Sequence, residues 1–163
     1  MAATPAIAAL DKAGIAHQVH RYTHDARSDA YGAEAVEAMG KALGVAPAQV
    51  FKTLVIALSG GPAPLAVAVI PVPAKLSLKA AAAALGASKA TMAQARDVTR
   101  STGYVLGGVS PIGQRTPLPT VIDSSAGTWD RILFSAGRRG LEVEVAPADL
   151  VTITDATTAD ICA

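Results

Sequence analysis

The sequence predicts a mixed α/β fold of the α+β type, and three observations lead to this prediction. Helix-like and strand-like segments alternate irregularly along the 163 residues. At least two pairs of strand-like runs are separated by short glycine-containing turns, which is typical of β-hairpins. Aromatic residues make up 4% of the chain, so the core is expected to be aliphatic. This pattern favours a mostly antiparallel, mixed sheet with helices around it over a doubly wound parallel sheet.

Capping residues mark the predicted helices. Thr4 and Pro5 are typical of an N-cap and a first helical position, and Gly14 is a typical helix end. Ser77 is a second N-cap candidate. Further helices are predicted over residues 30–43, 78–85 and 92–98, the last capped by Thr91, and from Pro147 onward.

Aliphatic and β-branched runs predict the strands. They cover residues 15–24, 51–58, 65–70, 120–123, 132–135 and 141–145. Gly60-Gly61-Pro62 and residues 137–140 are the predicted hairpin turns. The runs at 51–58 and 65–70 are apolar on both faces, which predicts central strands covered on both sides.

Composition and charge limit the classes of function. The formal net charge is +1, which argues against a strong stand-alone electrostatic grip on nucleic acid. A single cysteine, Cys162, excludes an internal disulfide framework and fits a reducing compartment. With no membrane-length apolar run and no secretory pattern, we expect one cytoplasmic domain over residues 1–163.

Lys52 is the candidate binding residue that the pattern singles out. Strand alternation places it on one face with Leu54, Ile56 and Leu58. A lysine on an apolar face is costly unless its charge is paired or reaches a cavity. The alternative is a strand-end side chain that extends to water.

The irregular segment 103–119 is a second candidate, because long ordered loops are often functional. Within it, Gly107 and Gly108 would let the backbone approach a ligand and direct N–H groups at a developing oxyanion. The segment lacks the Gly-Lys-Ser/Thr end of a phosphate-binding P-loop. A purely structural turn is the alternative.

Other candidate groups have weaker patterns. On a strand, His17 points away from His20 and His24, so no metal site is expected. Glu142 and Glu144 share a face that is either solvated or part of a cleft. Four arginines form either a basic rim for phosphates or ordinary surface, namely Arg100, Arg115, Arg138 and Arg139.

No protein nucleophile is evident in the sequence. The Gly-x-Ser-x-Gly motif is missing, and Cys162 lies next to the C-terminal residue, where we expect a frayed end.

Several short stretches together resemble the YbaK/EbsC (prolyl-tRNA editing) superfamily, and within it the Cys-tRNA(Pro) deacylases. The stretches keep their order along almost the whole chain. They are Thr4-Pro5-Ala6, His20-Arg21-Tyr22, Val50-Phe51-Lys52-Thr53-Leu54, residues 65–69, 84–87 and 100–104, Gly107-Gly108-Val109-Ser110-Pro111-Ile112-Gly113-Gln114, residues 118–123, and Arg139-Gly140-Leu141-Glu142-Val143-Glu144.

The resemblance implies a mixed sheet curled into a partly barrel-like core, and a pocket for the aminoacyl-adenosine end of a tRNA. Lys52 would help to hold that end, and the backbone of Gly107 and Gly108 would bind the scissile carbonyl. Tyr22 and Tyr31 would line the pocket, the latter where phenylalanine is common. The other implied substrate-binding residues are Thr53, Ser110, Ser135 and Glu142, the last where aspartate is common.

The implied reaction is deacylation of mischarged Cys-tRNA(Pro), in which the thiol of the substrate attacks its own carbonyl and leaves as a thiolactone. Such a reaction needs positioning and oxyanion stabilisation, but no enzyme nucleophile and no cofactor. The alternatives are deacylation of Ala-tRNA(Pro) or another small mischarged residue, and a non-catalytic module that binds tRNA or a synthetase. The near-neutral charge would limit stand-alone selection of a tRNA. The resemblance implies help from prolyl-tRNA synthetase in a transient complex.

Overall fold

Residues 3–25 and 31–163, which the computed structural model describes, form five α-helices and eight β-strands. The helices are α1 (Pro5–Ala13), α2 (Tyr31–Leu43), α3 (Leu78–Ala84), α4 (Ala95–Thr102) and α5 (Pro147–Thr154). The strands are β1 (Gln18–Arg21), β2 (Phe51–Ser59), β3 (Leu65–Pro71), β4 (Lys89–Met92), β5 (Thr120–Asp123), β6 (Ile132–Arg138), β7 (Leu141–Val145) and β8 (Thr157–Ala159).

The strands form two sheets that are joined by a bridge. The three-stranded sheet has the order β1-β7-β6 and is antiparallel. The five-stranded sheet has the order β4-β2-β3-β5-β8, with antiparallel pairs around β2 and parallel pairs around β5. A parallel bridge between Val50 and Leu133 connects the sheets. The predicted mixed α/β fold is therefore confirmed, and the described strands do not close into a barrel.

Three apolar cores hold the helices on the sheets. The main core joins one face of each sheet to α1 and α5, with Phe134 and Leu10 at its centre. A second core lies between the opposite face of the five-stranded sheet and α3, and includes Ile56 and Ile70. The third core packs α2 on the other face of the three-stranded sheet through Met39. Each fully buried large side chain contributes roughly 1.5–3 kcal/mol.

Helices with clear capping residues begin or end where the sequence predicts. The Thr4 hydroxyl accepts a hydrogen bond from the Ile7 N–H at 3.2 Å, and Gly14 ends α1 with φ of 68°. Ser77 caps α3 through the Ala80 N–H at 3.1 Å. The predicted hairpin between β2 and β3 is confirmed, as is the helix predicted over 30–43 from Tyr31 onward, whereas residue 30 lies outside the described residues.

Tertiary pairing overrode the local pattern in two places. The prediction that a helix begins at Met92, with Thr91 as its cap, is wrong, because residues 89–92 pair with the end of β2 as strand β4. The helix that follows begins at Ala95 instead. The strand predicted over 15–24 is confirmed only over Gln18–Arg21, where β7 provides a partner.

The expectation that the C-terminus is frayed is also wrong. Strand β8 was not predicted, and it adds to β5 at the sheet edge. Ile161 beyond it is fully buried, and its carbonyl oxygen accepts a hydrogen bond from the Ser77 N–H at 2.7 Å. Cys162 therefore lies on an ordered segment, paired opposite Leu76, although its side chain is exposed. Among the helices of the described residues, none is long and apolar enough to cross a bilayer.

Candidate active site

A cavity of about 540 Å³ lies beside the first half of β2. Its walls come from residues 51–54 of β2, the first turn of α2, the loop around residues 106–109 and one face of the three-stranded sheet. Strand β4 pairs only with residues 56–59 of β2, so residues 51–54 have a strand partner on one side alone among the described strands. The volume is typical of a site for a small ligand or for the end of a larger one.

Lys52 and Thr53 approach the cavity from opposite faces of β2. Strand alternation places Lys52 on the face of Ile56, in the second core, and Thr53 on the face of Val55, in the main core. Both residues are half-buried and line the cavity. The buried Thr53 hydroxyl has no hydrogen-bond partner among the described residues, so a ligand group would satisfy it.

Glu142 forms the centre of the sheet wall. It is paired with Ser135 on β6 and with His20 on β1, so the three side chains share one face. Helix α2 covers that face, which leaves Glu142 only 4% exposed. The prediction of a solvated face is therefore wrong for Glu142, and its alternative, a cleft position, is confirmed. Ser135 and Tyr22 line the cavity beside it.

Among the described residues, no positive charge is paired with the Glu142 carboxyl group. Burial raises the pKa of its carboxyl group to about 8. Within the described part of the chain no group donates a hydrogen bond to it, whereas Glu144 accepts one from His20 at 2.9 Å. Burial, followed by the negative charge of Glu142, raises the pKa of Tyr22 to about 12. At neutral pH the sheet wall therefore presents a largely protonated carboxyl and a phenol.

The glycine loop presents Gly107 to the cavity and turns Gly108 away. Gly107 has φ of 86°, a left-handed conformation that favours glycine, and it lines the cavity. The Gly108 N–H is donated to the Val105 carbonyl oxygen at 3.0 Å. A Cβ atom on Gly108 would lie 3.0 Å from the Cα of Arg138. Of the two residues predicted to bind the carbonyl, Gly107 therefore lines the cavity and Gly108 packs against the backbone of the hairpin.

Buried hydrogen bonds hold the rest of this loop in place. The Tyr104 hydroxyl donates to the Ile112 carbonyl oxygen at 2.7 Å. Ser110 is fully buried, and its hydroxyl accepts a hydrogen bond from the Ile112 N–H at 3.4 Å. The side chain of Ser110, a predicted substrate-binding residue, is therefore enclosed in the loop and is not part of the cavity lining.

The structure separates the three arginines that were predicted to contact tRNA. The guanidinium of Arg139 lies over the ring of Tyr31, 4.7 Å from its centroid, next to the cavity. Arg138 is exposed at the end of β6. Arg100 lies on α4, 3.9 Å from Asp97, and is not part of the lining. The two arginines of the hairpin are thus closer to the site than Arg100.

His17 and His20 take part in ordinary contacts, whereas the buried Nδ1 of His24 has no hydrogen-bond partner among the described residues. A ring nitrogen of His17 lies 2.8 Å from the Ile15 carbonyl oxygen, and the other lies 3.4 Å from Asp11. His20 pairs with Glu144, as described above. The described residues contain no group of three or more His, Cys, Asp or Glu side chains suited to a metal ion.

With this geometry established, residues 31–153 match the family profile of the aminoacyl-tRNA editing domain. The chain belongs to this family. This editing domain is also 37% identical over 126 residues to a proposed Cys-tRNA(Pro)/Cys-tRNA(Cys) deacylase, EbsC, of Enterococcus faecalis. That match covers 77% of the present chain and 75% of the relative. The predicted resemblance to the YbaK/EbsC superfamily is confirmed.

Solved structures share the fold of the editing domain. A proposed trans-editing enzyme for prolyl-tRNA synthetase superposes with a TM-score of 0.82 at 23% identity, over 100% of this chain and 99% of that one. The hypothetical protein APE2540 superposes with a TM-score of 0.80 at 23% identity, over 98% of this chain and 100% of that one. These likenesses confirm the fold.

Sequence reasoning missed the apolar part of the editing-domain cavity. Leu54, Val72, Leu106 and Val109 line it, as does Gly32 in the first turn of α2. A Cβ atom on Gly32 would lie 2.8 Å from a methyl carbon of Val72, so this glycine allows the helix to approach β3 closely. The signal for such an approach was a glycine at the third position of the helix predicted over 30–43.

Proposed function

We propose that this editing domain deacylates mischarged Cys-tRNA(Pro), with the aminoacylated terminal nucleotide bound in the cavity beside β2. The observation that carries the proposal is that the cavity offers binding groups but no activated nucleophile among the described residues. The proposal is supported by the family and by the printed function of the EbsC relative. The size of the cavity suits one aminoacylated nucleotide and excludes a tRNA stem.

The hydroxyl and thiol groups near the cavity are poor nucleophiles. The Ser135 hydroxyl accepts a hydrogen bond from the Gly137 N–H at 3.1 Å, and its neighbour Glu142 is largely protonated and hence a weak base. Desolvation and the Asp123 carboxylate raise the pKa of Cys162 to about 11, so its thiol stays protonated at neutral pH. The nucleophile is therefore expected to come from the substrate.

Each wall of the cavity matches one part of an aminoacyl ester. Glu142 and the unpartnered Thr53 hydroxyl would bind the α-amino group, which every aminoacyl-tRNA carries. A protonated carboxyl with a neutral amine, or a carboxylate with an ammonium, gives the same ion pair, so no net proton uptake is required. Lys52 would hold the nucleotide end through its positive charge. Tyr22, Tyr31 and Ser135 would complete the walls.

The reaction follows from this placement. The sulfur of the cysteinyl group attacks its own carbonyl carbon, and the N–H of Gly107 stabilises the oxyanion that forms. The ester C–O bond then breaks, the thiol proton passes to the released ribose oxygen, and a thiolactone leaves. Free tRNA is the second product. No cofactor is required, because the ester is already activated and the attacking group is held next to it.

A panel of substrates tests this function. Deacylation rates are measured for Cys-, Ser- and Ala-tRNA(Pro) with the same tRNA. We expect rapid release of cysteine and at least tenfold slower release of serine, since a hydroxyl is a weaker nucleophile than a thiol. Similar rates for alanine and cysteine would favour the Ala-tRNA(Pro) alternative. No release from any of the three would favour a non-catalytic binding module.

The partner proposal concerns how the correct tRNA is chosen. The net charge of +1 provides little general attraction for tRNA, and Arg100, Arg138 and Arg139 are the basic side chains that we propose contact it. We propose that prolyl-tRNA synthetase supplies the remaining selectivity in a transient complex, and that the enzyme acts in the cytoplasm. The ratio of rates for Cys-tRNA(Pro) and Cys-tRNA(Cys) should rise when the synthetase is added. An unchanged ratio would contradict partner-given selectivity.

A further inference from the structure

Arg139 and Tyr31 are in contact at the rim of the cavity. A role of Arg139 in binding tRNA phosphates would not explain this contact. The guanidinium carbon lies 4.7 Å from the centroid of the Tyr31 ring, within the range of a cation–π interaction. Both residues are half-buried. Arg139 follows β6 in the hairpin, whereas Tyr31 is the first residue of α2, so the contact joins two distant parts of the chain.

The ring of Tyr31 also rests directly on Gly107. A Cβ atom at Gly107 would lie only 2.8–2.9 Å from three carbon atoms of the ring. The ring therefore fits against the loop only because position 107 has no side chain. The Tyr31 ring thus contacts both Gly107 and the Arg139 guanidinium, and these two contacts can orient it.

The same hairpin supports the loop from a second side. Gly108 packs so closely on the backbone of Arg138 and Arg139 that a Cβ atom there would lie 3.0–3.2 Å from it. The glycine loop, the hairpin and the start of α2 thus meet around one aromatic ring. A displacement of that ring would leave Gly107 without the surface that it packs against.

We infer that Arg139 is a positioning residue that holds the Tyr31 ring on Gly107 and thereby fixes the carbonyl-facing loop. The inference rests on the proposed function, since it concerns the placement of the loop in that reaction. In the chemical step Arg139 would act through Tyr31, a role separate from the tRNA contact proposed above. A planar guanidinium stacks on a ring in a way that the ammonium of lysine does not reproduce, so Arg139→Lys should restore only part of the effect.

A double-mutant cycle on a minimal substrate tests this role. The substrate is the cysteinyl ester of adenosine, which carries no phosphate, so a phosphate contact by Arg139 cannot contribute. Arg139→Met should lower kcat by roughly 3- to 10-fold with little change in KM. In a Tyr31→Leu background, Arg139→Met should cause no further loss of kcat. In a Tyr31→Phe background, where the ring remains, it should cause the full loss of kcat.

Two results would overturn the inference. One is an Arg139→Met loss that appears only with full-length Cys-tRNA(Pro), which would indicate a phosphate contact. The other is an equal loss with and without the Tyr31 ring, which would make the two residues independent. Equal thermal unfolding midpoints of wild type and Arg139→Met are the control for general damage.

A measurement without catalysis separates this inference from the proposed function. With labelled arginine, NMR should show the Arg139 side-chain protons shifted upfield by the ring, and the shift should persist in Tyr31→Phe but vanish in Tyr31→Leu. The absence of this shift would overturn the contact even if the enzyme is active. An inactive wild type with the shift intact would contradict the deacylase function and the positioning role, but not the contact itself.

Discussion

The two walls of the cavity treat charge in opposite ways. On the sheet wall, Glu142 is 4% exposed and has no donor among the described residues, so burial raises its pKa to about 8. On the wall formed by β2, Lys52 is half-buried at a strand segment that is paired on one side. The sheet wall therefore contains a neutral carboxyl group that can ionise when a cationic ligand binds. The β2 wall presents a positive charge near solvent. This difference in charge supports the proposal that the two walls bind the two ends of an ester with an amino group.

Replacing the cation of the β2 wall should have the largest effect. Lys52→Ala should fold normally and lose most deacylation of Cys-tRNA(Pro), by roughly 100- to 1,000-fold, because removal of one group that stabilises charge in a transition state typically costs that much. Single-turnover deacylation and thermal unfolding are the measurements. Near wild-type rates would show that Lys52 lines the cavity without taking part in deacylation.

The loop between the walls should be nearly as sensitive. Gly107→Ala combines a strained left-handed φ with a clash against Tyr31, so we expect about 1–3 kcal/mol of destabilisation and at least a tenfold loss of kcat. Gly86→Ala is the matched control, since Gly86 has φ of 73° but no atom within 4 Å of the added Cβ. Equal activity losses in both variants would contradict a specific role for Gly107.

The acid of the sheet wall should be visible in the pH dependence of stability. Since the folded pKa of Glu142 lies above the ordinary value of 4.5, its neutral form stabilises the fold at low pH and this contribution is lost as pH rises toward 8. The slope should reach at most about 1.4 kcal/mol per pH unit. Glu142→Gln should remove this slope in urea unfolding measured between pH 5 and pH 8, whereas Glu144→Gln should keep it. A wild type with no such slope would contradict a neutral Glu142.

The smallest effect is expected beyond the β2 wall, at Cys162. Cys162→Ala should leave deacylation within about twofold of wild type, because the thiol is protonated at neutral pH and the attacking sulfur belongs to the substrate. Cys162→Ser serves as a control for the hydrogen bond to Asp123. A folded but inactive Cys162→Ala enzyme would overturn the substrate-assisted reaction.

Residues with the same sequence pattern reached different places in the molecule. Glu142 and Glu144 lie on one face of one strand, yet α2 encloses the first while His20 binds the second. Gly107 and Gly108 are adjacent, yet only Gly107 lines the cavity. The N–H of Gly108 instead donates a hydrogen bond to the Val105 carbonyl oxygen in a turn. Periodicity assigns a residue to a face, but it contains no information about which distant element covers that face.

The sequence by itself determined the locally encoded parts of this protein. Thr4 and Gly14 delimit α1, Ser77 caps α3, and the turn after β2 gives its hairpin, because each of these depends on hydrogen bonds and φ values within a few residues. Recognisable stretches around Lys52 and Gly107 were enough to indicate the editing family.

Only the tertiary structure decided the rest. Residues 89–92 form a strand because they pair with the free edge of β2. Strand β8 forms because it pairs with the edge of β5. The enclosure of Ser110, the burial of Glu142 and the contact between Arg139 and Tyr31 each require segments far apart in the chain to meet. The burial of these side chains, and with it the charge state of the site, depends on contacts between distant segments and is not encoded in any short stretch of sequence.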